Sequence, residues 1–276
     1  MRTYESDYSE LVSTVALRGA MRKSRAGNTR AIFGTMLQIT CLEQGRFPLL
    51  TARKMFYKPV LGELAAFLKG ATKLKTFKDF GCNYWDANAG AWEENVDRPK
   101  DTWVVGQIYG AQWRNWLGCN NDDQLKTLVE NLKANPHSRR HVLTTYDPGE
   151  TYACLPPCHL LAQFNVTNDG NLDCIVYMRS VDLCLGLPSD VVLYATLILV
   201  ISNQVGLKPG KLVFMMGDTH IYENHVTIWH TQAVLKHYEL PKYKLDSTAT
   251  IDNFRPDHLD LLNYEHGDKL DYIFNV

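Results

Sequence analysis

Several things are scarce in this chain, and each scarcity removes a class of protein. Charge of one sign is not in excess: 29 Lys and Arg stand against 30 Asp and Glu, a formal net charge of -1. Nonspecific nucleic-acid binding draws on a strongly positive surface, so it is not the expected main task. Cysteine is present, with 7 residues, but no CxxC pair occurs. An odd count without paired spacing is unlike a secreted disulfide framework and fits a reducing compartment. The opening stretch "MRTYESDYSE" is too polar for a secretory leader. The longest apolar run, Val191 to Ile201, falls short of the roughly 18 residues a bilayer span needs. It reads as a buried core helix, and the expected location is the cytoplasm. Repeats, low-complexity tracts and flexible linkers are missing too. The 276 residues therefore suit one continuous domain, 1–276, with a sizeable core.

What is there has clear periodicity. "DDQLKTLVENLKANP" places Leu125, Leu128, Val129 and Leu132 at helical spacing, with Asp122 or Asp123 to cap it and Pro136 beyond its end. "KPVLGELAAFLKG" aligns Leu61, Leu64 and Leu68 on one face, with Gly70 to close the helix and Glu63 on the same segment. "HLLAQFNVTNDGNLDCIVYMRS" reads as two strands joined at Asp169-Gly170, a hairpin signal, and "KLVFMMG" as another strand. Helices and antiparallel strands in this order predict an α+β fold whose sheet is covered by the long apolar helix.

Three groups of residues could carry chemistry. Cys158 in "LPPCHLLAQF" follows two prolines that stiffen the backbone, and His159 is adjacent. A thiol beside positive charge becomes a nucleophile; a buried, inert thiol is the plain alternative. A zinc reading of Cys154, Cys158 and His159 is weaker, because the spacing matches no usual finger, so no metal is expected. Arg25, Arg139, Arg140 and Arg179 offer guanidinium groups that bind phosphate bidentately, or else form a solvated face. In "MMGDTHIYENH" Asp218, His220, Tyr222, Asn224 and His225 crowd together just after an apolar strand. They form a functional strand end or a polar turn; if extended, His220 and Tyr222 point the same way. Lastly, "GLPSDVVLYATL" puts Asp190 in front of an apolar run, as a helix N-cap or as a ligand reader.

Taken together, "FPLLTARK", "GELAAFL", "YWDAN", "IYGAQWRNW", "PHSRRHV", "LPPCHLLAQF", "MRSVDLCLGLPSD" and "GDTHIYENH" run in one order over nearly the whole chain. The chain resembles the thymidylate synthase family and its pyrimidine-nucleotide hydroxymethylase branch. The resemblance implies a thymidylate synthase-like fold with a mixed sheet, paired sheet-to-sheet in a homodimer. It also implies one-carbon transfer from the cosubstrate 5,10-methylenetetrahydrofolate to carbon 5 of a pyrimidine nucleotide. By the same resemblance Cys158 is the nucleophile that adds to carbon 6 of the ring. Arg25, Arg179 and Ser180 hold the phosphate, while Arg139 and Arg140 reach the partner subunit's site. His220 and Tyr222 contact the sugar 3′-hydroxyl. Glu63 manages protons, with Tyr109 near the proton-abstraction step. Trp85 and Asp182 contact the folate, and Val276 closes over the site. No membrane or nucleic acid is implied as a partner.

Asp190 stands where thymidylate synthases carry an asparagine that faces the base. A carboxyl group suits cytosine: it accepts from the amino group and, when protonated, donates to the ring nitrogen. The same change marks the deoxycytidylate hydroxymethylases, and Asp190 could also cap the helix. Ser180 favours dCMP over CMP. Other departures from the family pattern are Met178, Asn88, Ala65-Ala66 and Gln107. Loss of aromatic bulk at Asn88 and Ala66 suggests a wetter pocket, in which water rather than hydride finishes the reaction. The expectation is dCMP hydroxymethylation, supplying modified cytosine for a viral DNA; dCMP methylation and dUMP methylation stay open. A nucleotide- or RNA-binding relative without turnover has no need of the Cys158 thiol.

Overall fold

The computed structural model describes residues 3–116, 123–149 and 152–275. Val276, expected to close over the site, lies outside them. Helix α1 (Tyr4–Arg18) starts with a reciprocal bond pair between Thr3 and Ser6. Strands β1 (Ala20–Ser24) and β2 (Gly27–Ile39) follow as a hairpin with Arg25 in its turn. A helical layer comes next: α2 (Tyr57–Leu68), α3 (Leu74–Asp79), α4 (Asp86–Ala91), α5 (Gly110–Arg114) and α6 (Gln124–Ala134). Then come β3 (Val142–Thr144), β4 (His159–Val166), β5 (Asn171–Asp182), α7 (Gly186–Val205), β6 (Lys208–Tyr222) and α8 (Glu223–Gln232). A small ribbon of β7 (Lys242–Leu245) and β8 (Leu259–Leu262) precedes the tail.

The main sheet has six strands in the order β1-β2-β6-β5-β4-β3. Only β5 and β6 run parallel, linked through α7; the other neighbours are antiparallel. The sheet is therefore mixed. The β4–β5 hairpin turns where the sequence predicts it, with Gly170 at φ 77°, a conformation glycine adopts without steric cost. Asp123 caps α6 by accepting from the Lys126 N–H, and Leu125, Leu128, Val129 and Leu132 are buried beneath it. In α2 the predicted face of Leu61, Leu64 and Leu68 is buried, and Gly70 takes φ 65° just past the end.

Helix α7 is apolar on every side, which suits a helix enclosed by protein. It is long and apolar enough to cross a membrane, yet 78% of its most apolar stretch is buried inside the structure. Its Tyr194 ring meets Phe214 of β6 at 6.0 Å and Trp113 of α5 at 6.4 Å.

Asp190 is not an N-cap: α7 begins a turn earlier, with Leu185 in the cap position and no side-chain cap bond. Proline is tolerated in a first helical turn, so Pro188 does not delay the start, and Asp190 falls inside the helix. The segment "GDTHIY" is neither a loop nor a turn; it is the final part of the 15-residue β6.

The sheet face opposite α7 is unusually apolar. Met36, Met215, Tyr177 and Leu161 are cross-strand partners in one row across β2, β6, β5 and β4. Their exposures are 58%, 40%, 44% and 37%. Ile175, in the adjacent row of β5, is 43% exposed.

Candidate active site

Cys158 sits at the entrance to β4, half-buried, and β5 fastens the segment before it. Arg179 donates its backbone N–H to the Cys158 carbonyl at 2.9 Å. Its guanidinium donates to the carbonyls of Pro157 (2.7 Å) and Pro156 (2.8 Å). The same guanidinium has a nitrogen 4.0 Å from Cys158 Sγ. Burial pushes the thiol up from its ordinary range, the Arg179 charge pulls it down, Asp190 raises it and a hydrogen bond with Tyr109 lowers it. The positive neighbour of the thiol is therefore Arg179 and not His159. His159 is buried, and desolvation lowers it to about 3, so it is neutral.

The His159 ring points into a cluster of its own. Its Nδ1 lies 2.8 Å from Tyr194 Oη, and its Nε2 lies 3.7 Å from Asp190 Oδ1. Tyr109 stacks on it at 3.9 Å and 18°. Tyr109 Oη in turn accepts the Cys158 N–H at 2.8 Å. Tyr109 is a non-glycine residue at φ 33°, a conformation that costs on the order of 1–3 kcal/mol. Close backbone contact holds it there: a Cβ on Gly110 would lie 2.1 Å from the Phe67 carbonyl oxygen of α2.

Two carboxyl groups in this region are pushed toward their neutral forms. Burial raises Glu63 to about 7, while the Trp85 indole N–H, donating at 2.8 Å, favours its ionised form. Burial raises Asp190 well above the usual carboxylate range, and the charges of Glu63 and Asp182 add to that. The Asp190 side chain keeps 19% exposure, so one edge of it remains accessible.

The parallel seam of β5 and β6 forms another wall. Ser180 pairs with Asp218, and Asp182 pairs with His220. His220 Nδ1 lies 3.0 Å from Asp218 Oδ1, and Arg22 holds the other carboxylate oxygen at 2.6 Å. The Tyr222 ring meets His220 at 5.3 Å. Burial raises Tyr222 above its ordinary range; the charges of Asp182 and Cys158 add to this and that of Arg25 lowers it. Arg25, in the β1–β2 turn, is thus near enough to Tyr222 for its charge to act there. The tail crosses α8: His225 Nε2 bonds the Ile273 carbonyl at 2.7 Å, and Asn224 donates to Asn275 at 3.2 Å.

Sequence reading named most of these residues, but not all of their surroundings. Arg139 and Arg140 are not gathered with Cys158. They stand exposed before β3, where the Arg139 carbonyl accepts from Gln163 on the apolar outer side of β4. Ala66 does not open a pocket: it is buried in the core, so of the two positions tied to a wetter site only Asn88 is partly open. The zinc reading of Cys154, Cys158 and His159 fails, since the His159 nitrogens face Tyr194 and Asp190. Among the described residues Asp182, Cys184 and His225 bring one ligand atom each within 4.8 Å of one another. The sequence motifs do not single out Tyr194 or the Trp85–Glu63 bond. Tyr194 carried a signal, because it follows Asp190 by four residues and so shares its helix face.

Over residues 6–276 the chain matches the thymidylate synthase family model, and it belongs to that family. It is 32% identical over 283 residues to a bifunctional dihydrofolate reductase-thymidylate synthase of Paramecium tetraurelia. That similarity covers 97% of this chain, which spans only 60% of the relative's length. The family uses 5,10-methylenetetrahydrofolate as cosubstrate.

Proposed function

We propose that this chain, as one catalytic domain over 1–276, transfers a one-carbon unit to carbon 5 of a pyrimidine deoxynucleotide, with dCMP as substrate and 5-hydroxymethyl-dCMP as product. The observation that carries the choice of base is Asp190, a carboxyl raised toward its protonated form on α7 beside the Cys158 thiol. Protonated on the oxygen that meets ring nitrogen 3, it accepts from the cytosine amino group and donates to the ring nitrogen.

Arg25, Arg179 and Ser180 hold the phosphate, and His220 with Tyr222 holds the sugar hydroxyl. Cys158 adds to carbon 6, which makes carbon 5 electron-rich. 5,10-Methylenetetrahydrofolate supplies the one-carbon unit when bound, against Trp85, Asp182 and the tail that ends at Val276. Glu63, balanced near neutrality, exchanges protons, and Tyr109 takes part in removing the proton from carbon 5. Asn88 leaves room for water at the final step. Expulsion of Cys158 restores the aromatic ring.

The exposed apolar sheet face is covered by a second copy, giving a homodimer in which Arg139 and Arg140 complete the partner's phosphate site. The chain works in the cytoplasm, that of a host cell if it serves a bacteriophage's modified DNA. Family membership favours a second reading, dUMP methylation. Incubation with the folate and dCMP, dUMP or CMP, followed by mass analysis of the nucleotide, separates these outcomes. Gain of a methyl group would overturn the hydroxymethyl product. Turnover of dUMP but not dCMP would sink the base assignment. Asp190→Asn is expected to shift preference toward dUMP.

A further inference from the structure

A protonated carboxyl group does not by itself choose between the two bases. With its O–H toward ring nitrogen 3 and its C=O toward the exocyclic group, it fits cytosine. With the two oxygens exchanged, it accepts from the uracil imide N–H and donates to the 4-oxo oxygen, which fits equally well. Selectivity needs a group that fixes which oxygen of Asp190 carries the proton.

We propose that His159, held in one tautomer by Tyr194, fixes the proton on Asp190 and so acts as a positioning residue for base selection. The inference rests on Asp190 being the group that faces the base. Among the described residues, the one hydrogen-bond partner of Tyr194 Oη is His159 Nδ1, at 2.8 Å. Tyr194 is fully enclosed, and a buried hydroxyl hydrogen takes an acceptor. Tyr194 therefore donates to Nδ1. The neutral imidazole has a single N–H, which this leaves on Nε2, facing Asp190 Oδ1 at 3.7 Å. That distance exceeds a hydrogen bond, and a shift of about half an ångström closes it.

An N–H directed at Oδ1 keeps that oxygen an acceptor and leaves the proton to Oδ2. Part of the same proposal is the placement that favours cytosine, with Oδ1 toward the exocyclic amino group and Oδ2 toward ring nitrogen 3. The ring has little freedom to turn and undo this. Tyr109 lies flat on it at 3.9 Å, and the Tyr194 ring meets its edge at 5.3 Å. The chain Tyr194 O–H, His159 N–H, Asp190 O–H thus has one direction. Tyr194 and Asp190 are one helical turn apart on α7, and His159 directly follows the nucleophile, so the base reader and the thiol share a mounting.

The test compares kcat/KM for dCMP and dUMP in the full-length wild type and in Tyr194→Phe, His159→Phe and His159→Gln. Removal of the phenol oxygen or of the imidazole is expected to lower the dCMP:dUMP ratio about tenfold, the worth of one oriented hydrogen bond. His159→Gln, which keeps an N–H donor, is expected to retain part of the preference. General damage to packing lowers both values and leaves the ratio where it was. Tyr194→Phe removes a single atom, so it serves if His159→Phe does not fold. An unchanged ratio in Tyr194→Phe and His159→Gln overturns the inference, even where Asp190→Asn moves the preference to dUMP and the base-reading role stands. If Asp190→Asn leaves the preference unmoved, the base-reading role fails and this inference fails with it.

Discussion

The indole N–H of Trp85 and the carboxylate of Glu63 are joined by a 2.8 Å hydrogen bond that ties the start of α4 to α2. Burial moves Glu63 up to about 7, and this bond is the opposing influence. The pair sets how readily Glu63 holds a proton at neutral pH.

Trp85→Phe keeps the ring and loses the donor. The Glu63 ionisation is expected to rise by about one unit, since a hydrogen bond to a charged group is worth about 1.5–3 kcal/mol and one unit about 1.4. The pH profile of kcat reads it: the transition assigned to Glu63 moves upward in the variant, and a profile unmoved from wild type contradicts the assignment.

Stability follows the same group. The folded value, about 7, lies above the ordinary 4.5, so the folded protein holds this proton more tightly than the unfolded chain. Stability is then lost as pH climbs from about 4.5 to about 7 and levels off beyond. Glu63→Gln has no such loss. Its melting temperature relative to wild type is expected to rise across that window; a constant difference from pH 4 to pH 8 counts against it.

Arg179→Gln removes the guanidinium beside the thiol. Cys158, already raised by burial, loses the charge that lowers it. Alkylation of Cys158 by iodoacetamide at neutral pH is expected to slow on the order of tenfold, as a 1.4 kcal/mol change implies. Peptide mapping assigns the label, because other cysteines are present.

Gly110→Ala drives a methyl group to within 2.1 Å of the Phe67 carbonyl oxygen. The two segments must part, and Tyr109 loses the contact that keeps it strained. Urea unfolding is expected to show a loss of about 3 kcal/mol, with reduced turnover. An unaffected midpoint would mean that the α2–α5 contact is looser than described.

Tyr177→Glu places charge in the middle of the apolar outer face. Sedimentation of the wild type is expected to give a dimer, and of the variant a monomer with reduced activity, because Arg139 and Arg140 then reach no partner. A monomeric, fully active wild type would remove the second copy from the mechanism.

Much of this architecture is legible in the sequence where short-range rules govern it. The Asp169-Gly170 hairpin, the Asp123 cap of α6 and the buried face of α2 are each decided within a few residues. The failures share a cause in longer-range packing. Asp190 has the composition of an N-cap, but α7 starts a turn earlier, at Gly186. His159 adjoins Cys158 in sequence, but neighbours along a strand point to opposite faces, so its ring faces Tyr194 and Asp190 and not the thiol. Ala66 matches a family position that suggests a pocket wall, and it proves to be core. Arg139 and Arg140, expected to reach a partner subunit, stand exposed and apart from Cys158 in their own chain.

The β5–β6 seam carries a final consequence. Ser180 faces Asp218 and Asp182 faces His220 across adjacent parallel strands, so the two walls share a single register. Substitution at one of these positions alters one contact. Insertion or deletion of one residue within either strand turns every downstream side chain to the opposite face and dismantles both walls together. The seam can therefore exchange single side chains, while changes of length are confined to the loops.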